Sequence, residues 1–448
     1  MDLLTPLARG SALAEIFSDA RTVQGMLDFE AALARAEAQV GVIPAAAVPT
    51  IEAACSAGLI DFAALAQAAA GAGNLAIPLV KQLTAAVKAA DGDAARYVHW
   101  GATSQDAIDT GFVLQLRSAL DWTQGQLDAL LAALARQAAR YQDTAMPGRT
   151  WMQHALPVTF GLKLAGTLVA LLRWRQRLDA VRAGALTLQF GGAAGTLASL
   201  GDDAQAVAAQ LARELDLAGA DTPWHSQRDR LLEVGHWYAG VCGTLGKFAG
   251  DFALLMQTEV AEVGEPVAEG RGGSSAMPHK RNPVGCAAIL TAAQRTPGLM
   301  ATLYGGQIQQ HERALGGWQA EWEVLPELLM LTGGALLQTT QLVQGMRVDS
   351  DKMRADLDIT HGLIMAESAT LALAAHIGKQ AAHHHIEALC HRALDEKRPL
   401  LALLTADPQM SAHFSEQQLT QLLDPARGTG SANRFVRQVL ARYKEQHA

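Results

Sequence analysis

Apolar residues recur along the middle of the chain at helical spacing. Leu127, Leu131, Leu134, Ala138 and Tyr141 keep a 4-3-4-3 rhythm, which lays one continuous stripe along a single helix face. This run starts near Asp109 and breaks at Met146-Pro147-Gly148. A second run follows with Phe160, Leu164, Leu168, Leu171 and Leu178. A third covers about 228–263, and others follow Pro283 and Trp318 as far as Gln344. Helices this long must bury their stripes against each other, so residues 109–347 predict an elongated central bundle. Where stripes are wider than one bundle covers, subunits would pair helix against helix. Residues 1–108 are broken by Pro and Gly at 44–49 and 71–73 and predict a first domain of short helices; 348–448 predict a last one. The expected fold class is all-α with three domains. No fixed-period repeat, low-complexity tract or long linker interrupts it.

Composition sharpens this picture. Of 448 residues, 50% are hydrophobic but only 5% aromatic, so the apolar mass is Ala, Leu and Val, a diet that favours closely packed helices. Charged residues, at 18%, are sparse for a monomer's surface, which points to burial between subunits. Net charge is −8, from 36 basic and 44 acidic residues, with no Lys/Arg run, so the electrostatic footprint of a nucleic-acid binder is missing. No stretch of 18 residues is free of polar, Gly or Pro interruption, which argues against a membrane span. The segment after Met1 has no basic-then-apolar signal, and the four scattered cysteines show no CxxC pairing. The expectation is a cytoplasmic protein with reduced, buried thiols.

Four constellations could carry chemistry. The most informative is 264–283, GEPVAEGRGGSSAMPHKRNP, a glycine-rich loop between two helical runs, closed by a proline suited to a helix first turn. It offers hydroxyls, cationic side chains, an amide and free backbone N–H groups, a combination that suits an anion. Composition alone would also allow a solvated interhelical loop. The second is His99 to Asp106, HWGATSQD, which reads as a helix N-terminus with capping groups; a cap without function accounts for it equally well. The third, Gly148 to Ala155, is expected to open a helix, with His154 either packed or catalytic. The fourth is Gln310 to Arg313, followed by Trp318 and Glu321, where Glu312 beside Arg313 could be an ordinary surface pair. The His383-His384-His385 triplet is not expected to hold a metal, because consecutive helical residues point about 100° apart. No HExxH, Walker or GxGxxG pattern supports a metal or nucleotide cofactor.

Together these segments resemble the fumarase/aspartase superfamily. Gly273 to Pro283 matches its signature GSSxMPxKxNP almost throughout, His99 to Asp106 is similar to the first shared block, and Gly148 to Ala155 to the second. The likeness covers about 95–325. Where fumarase and the argininosuccinate and adenylosuccinate lyases have Thr-His in the second block, this chain has Thr150-Trp151, with His154 three residues on. The His-Asp pair of adenylosuccinate lyase is missing from 73–80. These departures make the chain most like the bacterial 3-carboxy-cis,cis-muconate cycloisomerases, with an adenylosuccinate lyase-like enzyme, or another fumarate-releasing lyase, as the alternative. A non-catalytic helical scaffold is the reading from outside enzymology.

The resemblance implies a homotetramer whose active sites are built from three chains, a small polycarboxylate substrate, and no cofactor or metal. It implies Ser275, His154 and Lys280 as catalytic groups. His99, Thr103, Ser104, Trp151, Gln153, Ser274, Met277, Asn282 and Arg313 would bind substrate. The chemistry explains the residue types. A proton must move at a carbon next to a carboxylate, so donors and cations must be placed where a second negative charge develops. A substrate carboxylate adds across a double bond to close a lactone, so no external nucleophile is needed. A serine that transfers this proton requires strong cationic stabilisation, and glycines 270, 272 and 273 would let the loop close over substrate.

Overall fold

The computed structural model describes residues 2–267, 270–273, 276–277 and 279–447. The fold is all-α. Its principal helices are α1 (Asp19–Val40), α2 (Ser104–Arg140), α3 (Phe160–Ala185), α4 (Asp229–Leu255), α5 (Val284–Gly305) and α6 (Gly317–Gly345). Shorter helices follow, including α7 (Ser350–Asp356), α8 (Ala366–Ile377) and α9 (Lys379–Asp395). Among the described residues, two small antiparallel sheets interrupt the helices. One joins β1 (Ala145–Thr150) to β2 (Gln153–Thr159), the other β3 (Val263–Gly264) to β4 (Arg347–Val348). No helix among the described residues is long and apolar enough to cross a membrane.

The expected stripe is buried at Leu127, Leu131, Leu134 and Ala138, all fully inaccessible, while Tyr141 at its end is half-buried. The long helix begins at Ser104, five residues before the expected Asp109, because Thr103 and Asp106 close its first turn.

The chain forms two compact units. One comprises 1–127, 174–246 and 288–337. Its α1 is capped by Ser18, whose side chain accepts from the Arg21 N–H, and stopped by Gly41 at φ 94°. Leu27, Phe29 and Leu33 of α1 enter one core with Leu79, Leu83, Val207 and Leu211. Helices α1 and α2 meet glycine on glycine. A Cβ on Gly25 would lie 2.7 Å from the Gly111 carbonyl oxygen, so no larger residue fits there.

The other unit comprises 128–173, 247–287 and 338–448. Leu357, Met365, Leu373, Ile386, Leu400 and Met410 form a core of its own. It also holds a clear departure from the helical expectation. Residues 148–155 do not open a helix; they form the β1–β2 hairpin, and α3 starts only at Phe160. Pro147 and Pro157 face each other across the pair, and neither can donate the N–H that a helix interior needs. Thr150, Val158 and Thr159 add β-branched residues that favour a strand. A bulge lies between Pro147 and Arg149, and a Cβ on Gly148 would come within 2.5 Å of the Leu156 carbonyl oxygen.

Candidate active site

In the first unit the site is built on the N-terminus of α2. Asp106 is fully buried and gathers five donors. These are the N–H of Thr103 at 2.9 Å, Gly191 at 3.0 Å and Gly192 at 2.9 Å, Nε2 of His225 at 2.7 Å and, more distant, Nε2 of Gln189 at 3.5 Å. This carboxylate is a fastener that fixes the helix start and the 191–192 turn, and it is not available to a ligand. The Thr103 and Ser104 hydroxyls face the guanidinium of Arg313, which donates from Nη1 at 2.8 Å and from Nη2 at 3.1 Å. Its Nε reaches Oε1 of Gln105 at 3.3 Å. Three of the residues expected to bind substrate thus stand together: two hydroxyls, one guanidinium and a helix N-terminus, all suited to a carboxylate.

One turn further along α2, Asp109 takes a bidentate pair from Arg228 at 2.7 and 3.0 Å and the indole N–H of Trp318 at 3.0 Å. Arg228 also donates to Glu321 at 2.6 Å and lies over the Trp224 ring, and the whole cluster is buried. Burial pushes the Glu321 carboxyl above its usual range, with Arg228 opposing and Asp109 adding to the rise. Such a cluster fixes geometry more than it adds stability. The reading of Glu312 and Arg313 as an ordinary surface pair therefore fails for Arg313, whose guanidinium is taken up by Thr103, Ser104 and Gln105, while Trp318 and Glu321 meet Asp109 and Arg228.

His99 is held from the other side. Its Nδ1 lies 2.6 Å from Oε1 of Glu30 on α1, and its backbone sits at φ 58°, a strained value for a residue with a Cβ. Burial pulls its pKa down, but the charge and hydrogen bond of Glu30 and the charge of Asp106 together hold it above the ordinary histidine value.

In the second unit the hairpin presents His154 opposite Arg149. Arg149 makes a bidentate pair with Glu262 at 2.9 and 2.9 Å. Glu262 is wholly buried; burial raises its pKa, Arg149 works against that, and the neighbouring Asp356 adds to it. The His154 Nδ1 is buried without a hydrogen-bond partner among the described residues. Burial, then the charge of Arg149, lowers the His154 pKa, so this imidazole is neutral at neutral pH. The turn residues Trp151 and Met152 both lie in the left-handed region, at φ 52° and 64°, and Trp151 is 98% exposed. Gln153 is exposed beside them.

The signature loop is pinned at its base. The Glu265 carboxylate accepts from the N–H groups of Gly285 at 3.1 Å and Cys286 at 2.8 Å, at the start of α5. Further in, the Asn282 N–H donates to the Gly272 carbonyl at 2.8 Å, and Gly273 bridges Arg281. Met277 is 43% exposed, and Lys280 is exposed and lines a cleft. That cleft, of about 1020 Å³, is lined by Lys280, Arg281, Asn282 and Arg347, with Asp349 and Asp351 opposite. Ser274 and Ser275 lie outside the described residues. Among the described residues no three His, Cys, Asp or Glu side chains are grouped to hold a metal ion. In the histidine triplet, His385 pairs with Asp407 at 2.8 Å and His384 approaches Glu387.

Sequence reading passed over Glu30, His225, Glu262 and Glu265. Each is a lone residue far in sequence from its partner. The cluster Gly191-Gly192-Ala193-Ala194-Gly195 was the one available signal, since two of its N–H groups bind Asp106.

The Thr103, Ser104 and Arg313 cluster suits a carboxylate on an all-α scaffold, and comparison with known proteins gives the family. Residues 8–298 match the family described as "Lyase", and 362–439 match "Adenylosuccinate lyase C-terminus". The chain belongs to this lyase family, the fumarase/aspartase superfamily. Within it, the chain is 56% identical over 433 residues to the 3-carboxy-cis,cis-muconate cycloisomerase of Pseudomonas aeruginosa, covering 97% of this chain and 94% of that protein. It is 52% identical to the enzyme of the same name from Bradyrhizobium diazoefficiens, covering 98% of this chain and 97% of that one. The crystal structure of the 3-carboxy-cis,cis-muconate lactonizing enzyme from Pseudomonas putida superposes with a TM-score of 0.96 at 50% identity, over 100% of both chains.

Proposed function

We propose that this protein is a cycloisomerase that converts 3-carboxy-cis,cis-muconate to 4-carboxymuconolactone in the cytoplasm, in the protocatechuate branch of the β-ketoadipate pathway. One substrate carboxylate oxygen adds to the far carbon of a double bond and forms the ring C–O bond. The electron pair moves to the adjacent carbon, next to another carboxylate, and a proton is delivered there. Nothing else enters or leaves, so the step needs no external nucleophile and has no leaving group, and no metal or organic cofactor is assigned to it.

The observation that carries the reading is the Arg313 fork on Thr103 and Ser104, on a chain alike over its whole length to cycloisomerases. The guanidinium and the N–H donors there lower the cost of the second charge that develops on a bound carboxylate. Lys280 and Asn282 are assigned to the same charge from the signature loop, with Ser275 as the proton-transfer residue and Ser274 and Met277 beside it. His154, neutral and unpaired at Nδ1, is its acid/base partner. Gln153 holds a substrate oxygen, and the flat Trp151 ring walls the diene. Holding the attacking carboxylate in place supplies several kcal/mol that a bimolecular addition would lack.

The active form is a homotetramer with sites shared among subunits. Supporting this, Trp151, Ile308 and Leu315 leave large apolar surfaces open on a single chain.

The test is an ultraviolet assay. The diene absorbance of 3-carboxymuconate should fall on adding the protein, with chelator present or absent. The match of 362–439 to the adenylosuccinate lyase C-terminus keeps one rival in play. Cleavage of adenylosuccinate without muconate turnover would replace the proposal with that rival.

A further inference from the structure

His99 stands four residues before Thr103, and its partner comes from a different helix. Glu30 lies on the buried face of α1, with only 3% of its surface accessible, and its Oε1 is 2.6 Å from His99 Nδ1. The second oxygen, Oε2, is buried and has no partner among the described residues. The imidazole is the group that Glu30 serves.

Glu37 shows what burial does to a carboxyl on this helix face when no cation meets it. Two turns along, it is fully inaccessible, with neither oxygen partnered among the described residues, and burial, with Glu30 adding, pushes its pKa to about 9. That carboxyl stays neutral. Glu30 differs in having an imidazole against it. The backbone at His99 is also committed: φ 58° is strained for a residue with a Cβ and persists only where the surroundings impose it. Gly101 follows at φ 71° and leads the chain directly into the Thr103–Ser104 grip. With Nδ1–H bound inward, the opposite ring nitrogen is the one left for a ligand. The charged groups facing the ring are Glu30 from α1 and Asp106 from α2, with Glu37 behind Glu30.

We propose that Glu30 is the positioning residue of this site: it clamps His99 through Nδ1–H and keeps it as a protonated donor whose Nε2–H meets a carboxylate of the tricarboxylate substrate. The inference rests on the cycloisomerase reading for the identity of the ligand, while the clamp itself is independent of it.

Two readouts test it on the full-length protein. Histidine-labelled protein, with His99 assigned by loss of its signal in His99→Gln, is titrated by NMR without substrate. His99 should hold its proton to a pH above that of an ordinary histidine. In Glu30→Gln the midpoint should drop by at least about one pH unit. With 3-carboxymuconate, the alkaline limb of kcat/KM should move to lower pH by the same amount in Glu30→Gln, and Glu30→Asp should restore part of the shift. A His99 that titrates in the wild type at or below the ordinary value overturns the proposal, even if Glu30→Gln does not fold. An equal loss of activity at all pH values, with the limb unmoved, overturns it as well and leaves Glu30 a packing residue. Absence of muconate turnover by the wild type would strike the functional reading, and the titration would still decide the clamp.

Discussion

Two residues carry the clearest single-site expectations. Arg313 meets both hydroxyls of the α2 N-terminus, so its removal should be felt where charge develops. Arg313→Ala should lower kcat/KM for 3-carboxymuconate by about 10²–10³-fold, and Arg313→Lys should recover little, because a point charge cannot bridge Thr103 and Ser104 together. Steady-state kinetics with circular dichroism as a folding control checks this. Glu37 is the opposite case, a buried carboxyl with no catalytic task. Its folded pKa of about 9 lies well above the unfolded value of 4.5. Between those values the unfolded chain releases the proton while the fold retains it, so stability falls as pH rises across that window and levels off above it. Glu37→Gln should flatten this slope and gain on the order of 2 kcal/mol at pH 8, read by urea unfolding at pH 6 and 8. An unchanged slope would mean that Glu37 is hydrated in the fold.

At the scale of elements, the β1–β2 hairpin is the most instructive. A two-residue turn with both residues at positive φ normally calls for Asn-Gly, yet here Trp151 and Met152 occupy it. The strained turn carries an exposed indole. Replacing the pair by Asn-Gly should therefore raise stability by about 1–2 kcal/mol while kcat/KM falls at least tenfold; a variant that gains stability and keeps its activity would remove Trp151 from the site. This hairpin is also where the sequence misleads. Helical periodicity resumes so soon after Gly148 that 148–155 reads as a helix start, and only the facing prolines and the β-branched residues betray the strands. The long helices, by contrast, were legible because burial of Leu127, Leu131, Leu134 and Ala138 is a property of spacing alone. The signature loop was legible as a motif. Its anchoring was not, because Glu265 binds backbone N–H groups twenty residues away, and an N–H donor leaves no trace in residue identity.

For the whole molecule, the candidate residues fall into two groups by unit. His99, Thr103, Ser104 and Arg313 belong to the first, and Trp151, Gln153, His154, Met277, Lys280 and Asn282 to the second. A site shared among subunits makes a definite demand. Ser275→Ala and His154→Ala tetramers, each inactive, should regain activity when dissociated and reassembled together, since some mixed sites receive both intact residues. Continued inactivity, with mixed tetramers verified by mass, would place each site within one chain. Intramolecular lactone formation is measured most directly by turnover of 3-carboxymuconate in D₂O followed by NMR. The predicted product is the lactone, with a single deuterium on the carbon next to a carboxylate and no fumarate released. Unchanged diene, or an open-chain product, would contradict it.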